Sequence, residues 1–156
     1  MALQIGAAAP DFSLPDQDGK VHTLNDYSGK RTLIYFYPKD ATPGCTVQAC
    51  SLRDNIEDLE ADGVTVIGVS KDDEASHKKF ADKQNLPFTL LADPETKMID
   101  AYGAWGERSL YGRKFLGTVR SAVLVGPDLE VEMVWPKIAP LKTVPEVKKF
   151  LKQNPR

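Results

Sequence analysis

Cys45 follows the run Thr42-Pro43-Gly44, and the only other cysteine, Cys50, stands five residues on. Thr42 is a favourable N-cap and Pro43 a favourable first helical residue, because its missing N–H would have no intrahelical partner. Gly44 leaves the backbone open to close approach by a ligand. Cys45 then falls at the third helical position, where free backbone N–H groups and the positive end of the helix dipole converge. Both favour the thiolate, the nucleophilic form of cysteine. A cysteine can be activated this way without a histidine.

The second thiol adds a geometric constraint. On an intact helix, five residues turn the chain by about 140° and raise it by about 7.5 Å. The two Cα atoms would lie roughly 8–9 Å apart on different faces, beyond the reach of a disulfide. A bridge therefore requires the first turns of the helix to unwind. A permanent structural disulfide is not expected, whereas a transient one coupled to local unfolding is open. Two cysteines with no matching second pair do not make a zinc site. His22, in an N-terminal hairpin, and His77, on a polar helix face, have no motif linking them to Cys45. Both are expected at the surface, facing solvent or hydrogen-bonded. With no acyl-transfer base or cofactor motif in view, a peroxide is the attractive target. Attack on its O–O bond yields a sulfenic acid that a second thiol can condense with. The leaving oxygen then needs stabilisation by backbone N–H groups, the Thr42 hydroxyl and a cation. Arg120, set among Val119, Ala122, Val123, Leu124 and Val125, is the favoured cation, with a strand-end arginine facing water as the alternative. Arg53 is the weaker candidate.

The elements that must position these groups follow from hydrophobic pattern. Val21 to Leu24, after the Asp16-Gln17-Asp18-Gly19 turn signal, reads as the return strand of a small N-terminal hairpin. Thr32 to Tyr37 is a continuous apolar run, expected as a buried central strand closed by Pro38. From Pro43 to about Ala61, Cys45, Ala49, Leu52, Ile56 and Leu59 recur at helical spacing, which predicts one amphipathic helix. Val64 to Ser70 is a second buried strand and Asp73 to Gln84 a helix with an Ala75, Phe80, Ala81 side. Phe88 to Leu91 is a short strand and Glu95 to Tyr102 a short helix. Gly103 to Gly117 is an aromatic and basic stretch, and Tyr102, Trp105, Tyr111 and Phe115, at its start and along it, are expected to pack. Val119 to Val125 and Leu129 to Val134 flank Gly126-Pro127-Asp128 as a hairpin, and Val144 to Gln153 closes the chain as a helix. This order predicts an α/β sandwich with a mixed sheet flanked by helices, in one domain over residues 1–156.

Composition bounds the function. Hydrophobic content of 42% and charged content of 27% are ordinary for a globular protein. A net charge of −2 gives no reason to expect nucleic acid or an anionic membrane as partner. No bilayer-spanning run and no signal peptide are visible, the start at Met1-Ala2-Leu3-Gln4 included. A close cysteine pair in so cysteine-poor a chain fits the reducing cytoplasm, where it is more readily catalytic or redox-active than structural.

The run Tyr37-Pro38-Lys39-Asp40-Ala41-Thr42-Pro43-Gly44-Cys45-Thr46, with Cys50 and Arg53 after it, resembles the peroxiredoxins, and among them the Q or bacterioferritin-comigratory type. Gly6 to Phe12, Tyr102 to Gly106 with Tyr111-Gly112, and Gly117 to Ser121 extend the likeness over nearly the whole chain. The resemblance implies a thioredoxin-like fold with an added N-terminal hairpin. It implies thiol peroxidase activity on hydrogen peroxide and organic hydroperoxides. It makes Cys45 the peroxidatic cysteine, Cys50 the resolving one, Thr42 the hydroxyl that orients the peroxide, and Arg120 the arginine that holds the thiolate and peroxide oxygens. Pro38, Pro43, Gly44 and Gln48 would line the bound substrate. Thioredoxin or a similar dithiol would be the reductant, with no metal, haem or flavin. A monomer, or at most a weak dimer, is expected, and with no C-terminal cysteine the intersubunit resolving scheme is not.

Two departures stand out. Gln48 occupies a usual glutamate position, and Thr143-Val144-Pro145-Glu146 replaces a common histidine-alanine pair. A thioredoxin-type dithiol exchanger would carry Cys-x-x-Cys, which is missing here. A peroxide sensor using the same two thiols remains the second reading.

Overall fold

The run Thr32-Leu33-Ile34-Tyr35-Phe36 forms the centre of the molecule because both of its faces are covered. In the computed structural model, which describes residues 3–156, every residue of this strand is buried. The start read at Met1-Ala2 lies outside the described residues. In chain order the elements are strands β1 (Ser13–Pro15), β2 (Val21–Thr23) and β3 (Arg31–Phe36), then helices α1 (Pro43–Asp54) and α2 (Ile56–Ala61). Next come β4 (Val64–Ser70), α3 (Glu74–Gln84), β5 (Thr89–Ala92) and α4 (Lys97–Ala101). Strands β6 (Trp105–Leu110), β7 (Arg113–Thr118), β8 (Ser121–Val125) and β9 (Val131–Trp135) precede the closing helix α5 (Thr143–Gln153).

The main sheet runs β5-β4-β3-β8-β9. β3 is parallel to β4, and β4 to β5, while β8 is antiparallel to β3 and β9 to β8. The sheet is thus mixed, as the order of elements predicts, and the N-terminal hairpin β1–β2 is present. The period-2 alternation of β3 sends Leu33, Tyr35 and Tyr37 to a core shared with α1, α2, α3 and α5. Ile34 and Phe36 face a second core built with the N-terminal segment and α4. On the first face Cys45, Ala49, Leu52 and Leu59 are buried at the expected helical spacing, and Ile56 packs against them. Helix α5 turns Val144, Val147 and Leu151 inward, also as expected.

Four expectations change. The helix from Pro43 to Ala61 is broken at Asn55, whose φ of −113° and ψ of 10° leave the helical region. The Asn55 amide donates to Ser51 O at 2.8 Å and its oxygen accepts from Lys148 Nζ at 2.9 Å, so the side chain competes with the backbone ladder. The stretch from Gly103 to Gly117 is largely ordered as the hairpin β6–β7, turned at Tyr111-Gly112. Its aromatic residues divide: Tyr102 is buried, whereas Tyr111 at the tip is 96% exposed and does not pack. Arg120 precedes β8 instead of lying within the strand. His77 is fully buried, because it sits three and four residues before Phe80 and Ala81 on the inward face of α3.

Close packing of β4 on β3 depends on Gly68, which is registered opposite Tyr35. A Cβ there would lie 2.9 Å from the Tyr35 ring and 2.8 Å from Leu90 Cδ2. Tyr35 is itself 1% exposed and cannot swing out. Gly68→Ala should therefore lower stability by about 1–3 kcal/mol, the usual cost of overpacking, measured as a lower midpoint in urea unfolding.

Candidate active site

Helix α1 begins where the sequence places it, with Thr42 as N-cap, Pro43 and Gly44 as its first two residues, and Cys45 third. The first intrahelical bond runs from Thr46 N to Thr42 O at 2.9 Å, so the Gly44 and Cys45 amides lie ahead of the helical ladder. The Thr42 hydroxyl does not cap the helix. It donates to Lys39 O at 2.8 Å, which leaves its lone pairs free to accept from a ligand.

Arg120 reaches this helix end from the link before β8, the strand beside β3. Its Nη2 donates to Cys45 Sγ at 3.4 Å, a contact that stabilises a thiolate in that position. Its Nη1 donates to Gln48 Oε1 at 2.7 Å. Gly44 permits the approach, since a Cβ there would stand 3.1 Å from Arg120 Nη2. Cys45 is only 1% exposed, and the guanidinium lies against its sulfur. Pro38, Val119, Arg120, Ile138 and Pro140 border an open cleft of ≈ 490 Å³ on that side. Of the residues expected to line the substrate only Pro38 borders this cleft; Pro43, exposed at the helix start, does not, nor do Gly44, the buried Gln48 or Cys45 itself. Burial and then the charge at Cys45 push the Tyr35 phenol well up, so a neutral ring backs the sulfur.

Sequence reasoning links Gln48 to the polar support around Arg120 but misses the partner behind Gln48. Gln48 is fully buried, and its Nε2 donates to Thr143 Oγ1 at 2.9 Å. Thr143 in turn donates to Ala139 O at 3.1 Å. Every donor in this chain has one acceptor, which fixes the Gln48 amide with its oxygen toward the guanidinium. Gln48 and the Thr143 segment looked like unrelated departures in the sequence, 95 residues apart, yet they meet in a direct hydrogen bond.

Cys50 points elsewhere. Its thiol donates to Gln84 Oε1 at 3.4 Å at the end of α3, while Arg53 Nη1 donates to Gln84 O at 2.6 Å. Arg53 thus braces α3 and takes no part in the contact at Cys45. Both cysteines are free thiols. His22 bonds Asp16 and Tyr27, and neither histidine bonds Cys45.

The likenesses to known proteins agree with this arrangement. The AhpC/TSA family matches residues 5–134. Peroxiredoxin Bcp of Escherichia coli is 47% identical over 133 residues, 85% of each chain. Peroxiredoxin Bcp of Bacillus subtilis is 40% identical over 152 residues, 97% of each. The solved structure of Xanthomonas campestris peroxiredoxin Q superposes with a TM-score of 0.88 at 33% identity, covering 97% of this chain and 96% of that one. A further structure, of the X. campestris bacterioferritin comigratory protein, concerns that protein's alkyl peroxide reduction activity, with trapped intermediate and ligand complexes. The chain belongs to the AhpC/TSA family, among the peroxiredoxins of Bcp or Q type. It has their thioredoxin-like fold with the added N-terminal hairpin, and it is a thiol-dependent peroxidase.

The Gln48–Thr143 bond carries a direct consequence. Thr143→Val keeps the side chain's shape but strands the buried Gln48 amide. Stability should fall by about 1–3 kcal/mol, the cost of an unsatisfied buried donor. The rate constant with hydrogen peroxide should fall as well, because Arg120 loses its brace. Urea unfolding and stopped-flow oxidation check the two effects separately.

Proposed function

We propose that Cys45 is the peroxidatic cysteine and that Cys50 resolves its oxidised form. The observation that carries this reading is the Cys45 sulfur at the third position of α1 with Arg120 Nη2 3.4 Å away. The thiolate attacks one peroxide oxygen as the O–O bond breaks, and the second oxygen leaves as hydroxide or alkoxide and takes up a proton. Arg120 and the amides at the start of α1 lie where that negative charge develops. Thr42, with its hydrogen committed to Lys39 O, accepts a hydrogen bond from the peroxide. Gln48 orients Arg120, Pro38 borders the approach, Pro43 starts the helix, and Gly44 leaves room for the guanidinium. Hydrogen peroxide and organic hydroperoxides are the substrates proposed.

Cys50 then condenses with the sulfenic acid and releases water. Because Cys50 bonds Gln84 in the reduced state, this step needs both the loss of that bond and unwinding of the first turns of α1. A thioredoxin or similar dithiol would restore the two thiols, in a reducing compartment such as the cytoplasm. Residues 1–156 are proposed to act as a single domain and a monomer. No helix among the described residues is long and apolar enough to cross a membrane.

Two measurements test the assignment. With a thioredoxin system, Cys45→Ser should consume no peroxide. Cys50→Ser should form sulfenic acid at Cys45 but no intramolecular disulfide by intact mass. Retained turnover in the first variant, or a bridge-free oxidised wild type, would remove the corresponding role. Sustained turnover with the donor also separates an enzyme from a sensor that reacts once. Separately, Arg120→Ala should slow the peroxide step by about 10²–10³-fold, the scale of one lost charge-stabilising donor. An unchanged stopped-flow rate constant would make Arg120 structural.

A further inference from the structure

The loop between β3 and α1 is tied to the body of the protein through one buried carboxylate. Asp40 is 6% exposed, and three side chains meet its carboxylate. Tyr37 Oη donates to its Oδ1 at 2.6 Å, and Ser76 Oγ donates to its Oδ2 at 2.8 Å. His77 Nδ1 lies 2.6 Å from the same Oδ2. On the far side of the ring, His77 Nε2 faces Leu91 O at 2.9 Å, and a carbonyl can only accept, so that nitrogen carries a hydrogen. Burial pushes the Tyr37 phenol well up, which keeps it a donor. The Asp40 amide donates to Asp72 Oδ2 at 2.9 Å, which also accepts from Ser70 Oγ at 2.7 Å. One residue therefore links β3, the end of β4, α3 and β5. Asp40, Asp72 and His77 offer ligand atoms within 4.8 Å of one another, but these atoms are already committed to hydrogen bonds within the protein.

The next residue departs from ordinary backbone. Ala41 has φ 63°, the left-handed region that a Cβ disfavours. Such a residue persists only where its surroundings impose it. Here the imposition comes from Asp40 on one side and from the Thr42 hydroxyl on Lys39 O on the other. Four residues after Ala41 comes Cys45.

We propose that Asp40 and His77 are positioning residues that latch a strained hinge at Ala41, and that this latch sets how oxidised Cys45 divides between disulfide and over-oxidation. The proposal rests on the resolving role given above to Cys50. In the latched state α1 is wound and Cys45 faces Arg120, ready for peroxide. Unwinding the first turn relieves Ala41 and lets Cys45 travel toward Cys50. The sulfenic acid has two fates. Cys50 can attack its sulfur, forming S–S and releasing water. Alternatively, the wound site can admit a second hydroperoxide, whose oxygen passes to sulfur to give the sulfinic acid while the peroxide is reduced to alcohol or water. A tighter latch favours the second fate and a looser one the first.

The test uses full-length wild type, Ala41→Gly and Asp40→Asn, pulsed with hydrogen peroxide from equimolar to large excess. Intact mass gives the ratio of sulfinic acid to Cys45–Cys50 disulfide, and stopped flow gives the first oxidation rate. Ala41→Gly removes the hinge strain, so the ratio should rise roughly two- to fivefold. Asp40→Asn weakens the latch, so the ratio should fall, and the first oxidation should slow by about ten- to a hundredfold as Cys45 loses its placement. A general loss of structure cannot move the two variants in opposite directions. An unchanged or lower ratio in Ala41→Gly overturns the proposal, even where Asp40→Asn fails to fold. A shift of both variants in the same direction also overturns it. A wild type that forms no Cys45–Cys50 disulfide removes the resolving role first and the latch with it.

Discussion

The Cys45 sulfur lies 3.4 Å from a guanidinium at the start of a helix, and the peroxidatic role proposed for it asks a nearly buried sulfur to react. Burial alone penalises a thiolate. The site offsets that penalty with one formal charge and the open amides of the first helical turn. Most of the surrounding structure exists to hold these two together. Arg120 comes from the link before β8, Cys45 from α1 after β3, and the antiparallel pairing of β3 with β8 brings the two chain segments side by side. A sheet buried on both faces fixes that pairing, since a slip of one residue would turn Leu33 and Tyr35 to the wrong core.

The charge on Arg120 is steered by neutral groups. A glutamate at position 48 would pair with the guanidinium and compete with the thiolate for it. The Gln48 amide still accepts from Arg120, and its other end is occupied by Thr143, so it cannot rotate to present an N–H to the cation. Exchanging charge for a fixed amide keeps the guanidinium oriented while leaving more of its field for sulfur and substrate. The Thr143 segment is then part of the same device.

Much of this was readable in the sequence where chemistry and local structure coincide. Thr42-Pro43-Gly44-Cys45 specifies its own helix start, and the five-residue step to Cys50 specifies two faces. Both are statements about a single helix, so no tertiary information is needed. The strand of Thr32 to Phe36 was legible for the same reason, as a continuous apolar run. Contacts between distant segments were not. His77 was misjudged because lysines surround it, although its spacing to Phe80 and Ala81 marks the buried face. Asn55 broke the helix through a side-chain bond to its own backbone and a lysine from α5, and only the first of these is local. The hairpin β6–β7 escaped notice because its strands carry charge on exposed faces and so lack a clean alternation of apolar and polar residues.

The roles proposed for the two cysteines place opposing demands on α1, and its first turn reconciles them. Attack on peroxide needs a wound helix, because the amides and Arg120 converge only there. Disulfide formation needs the turn undone, because Cys50 is held on another face by Gln84. A first turn of strong helix formers would serve the first demand and block the second. Pro43-Gly44 instead combines a residue favoured at a helix start with one of low propensity in the interior. Gly44 serves both states: without a Cβ it admits the guanidinium, and once released it has the widest backbone freedom of any residue. Beyond Cys45 the helix is anchored by Ala49 and Leu52, both fully buried, so unwinding has a natural stop before the packed core is disturbed. The boundary between the part that moves and the part that stays therefore lies within the four residues between the two thiols.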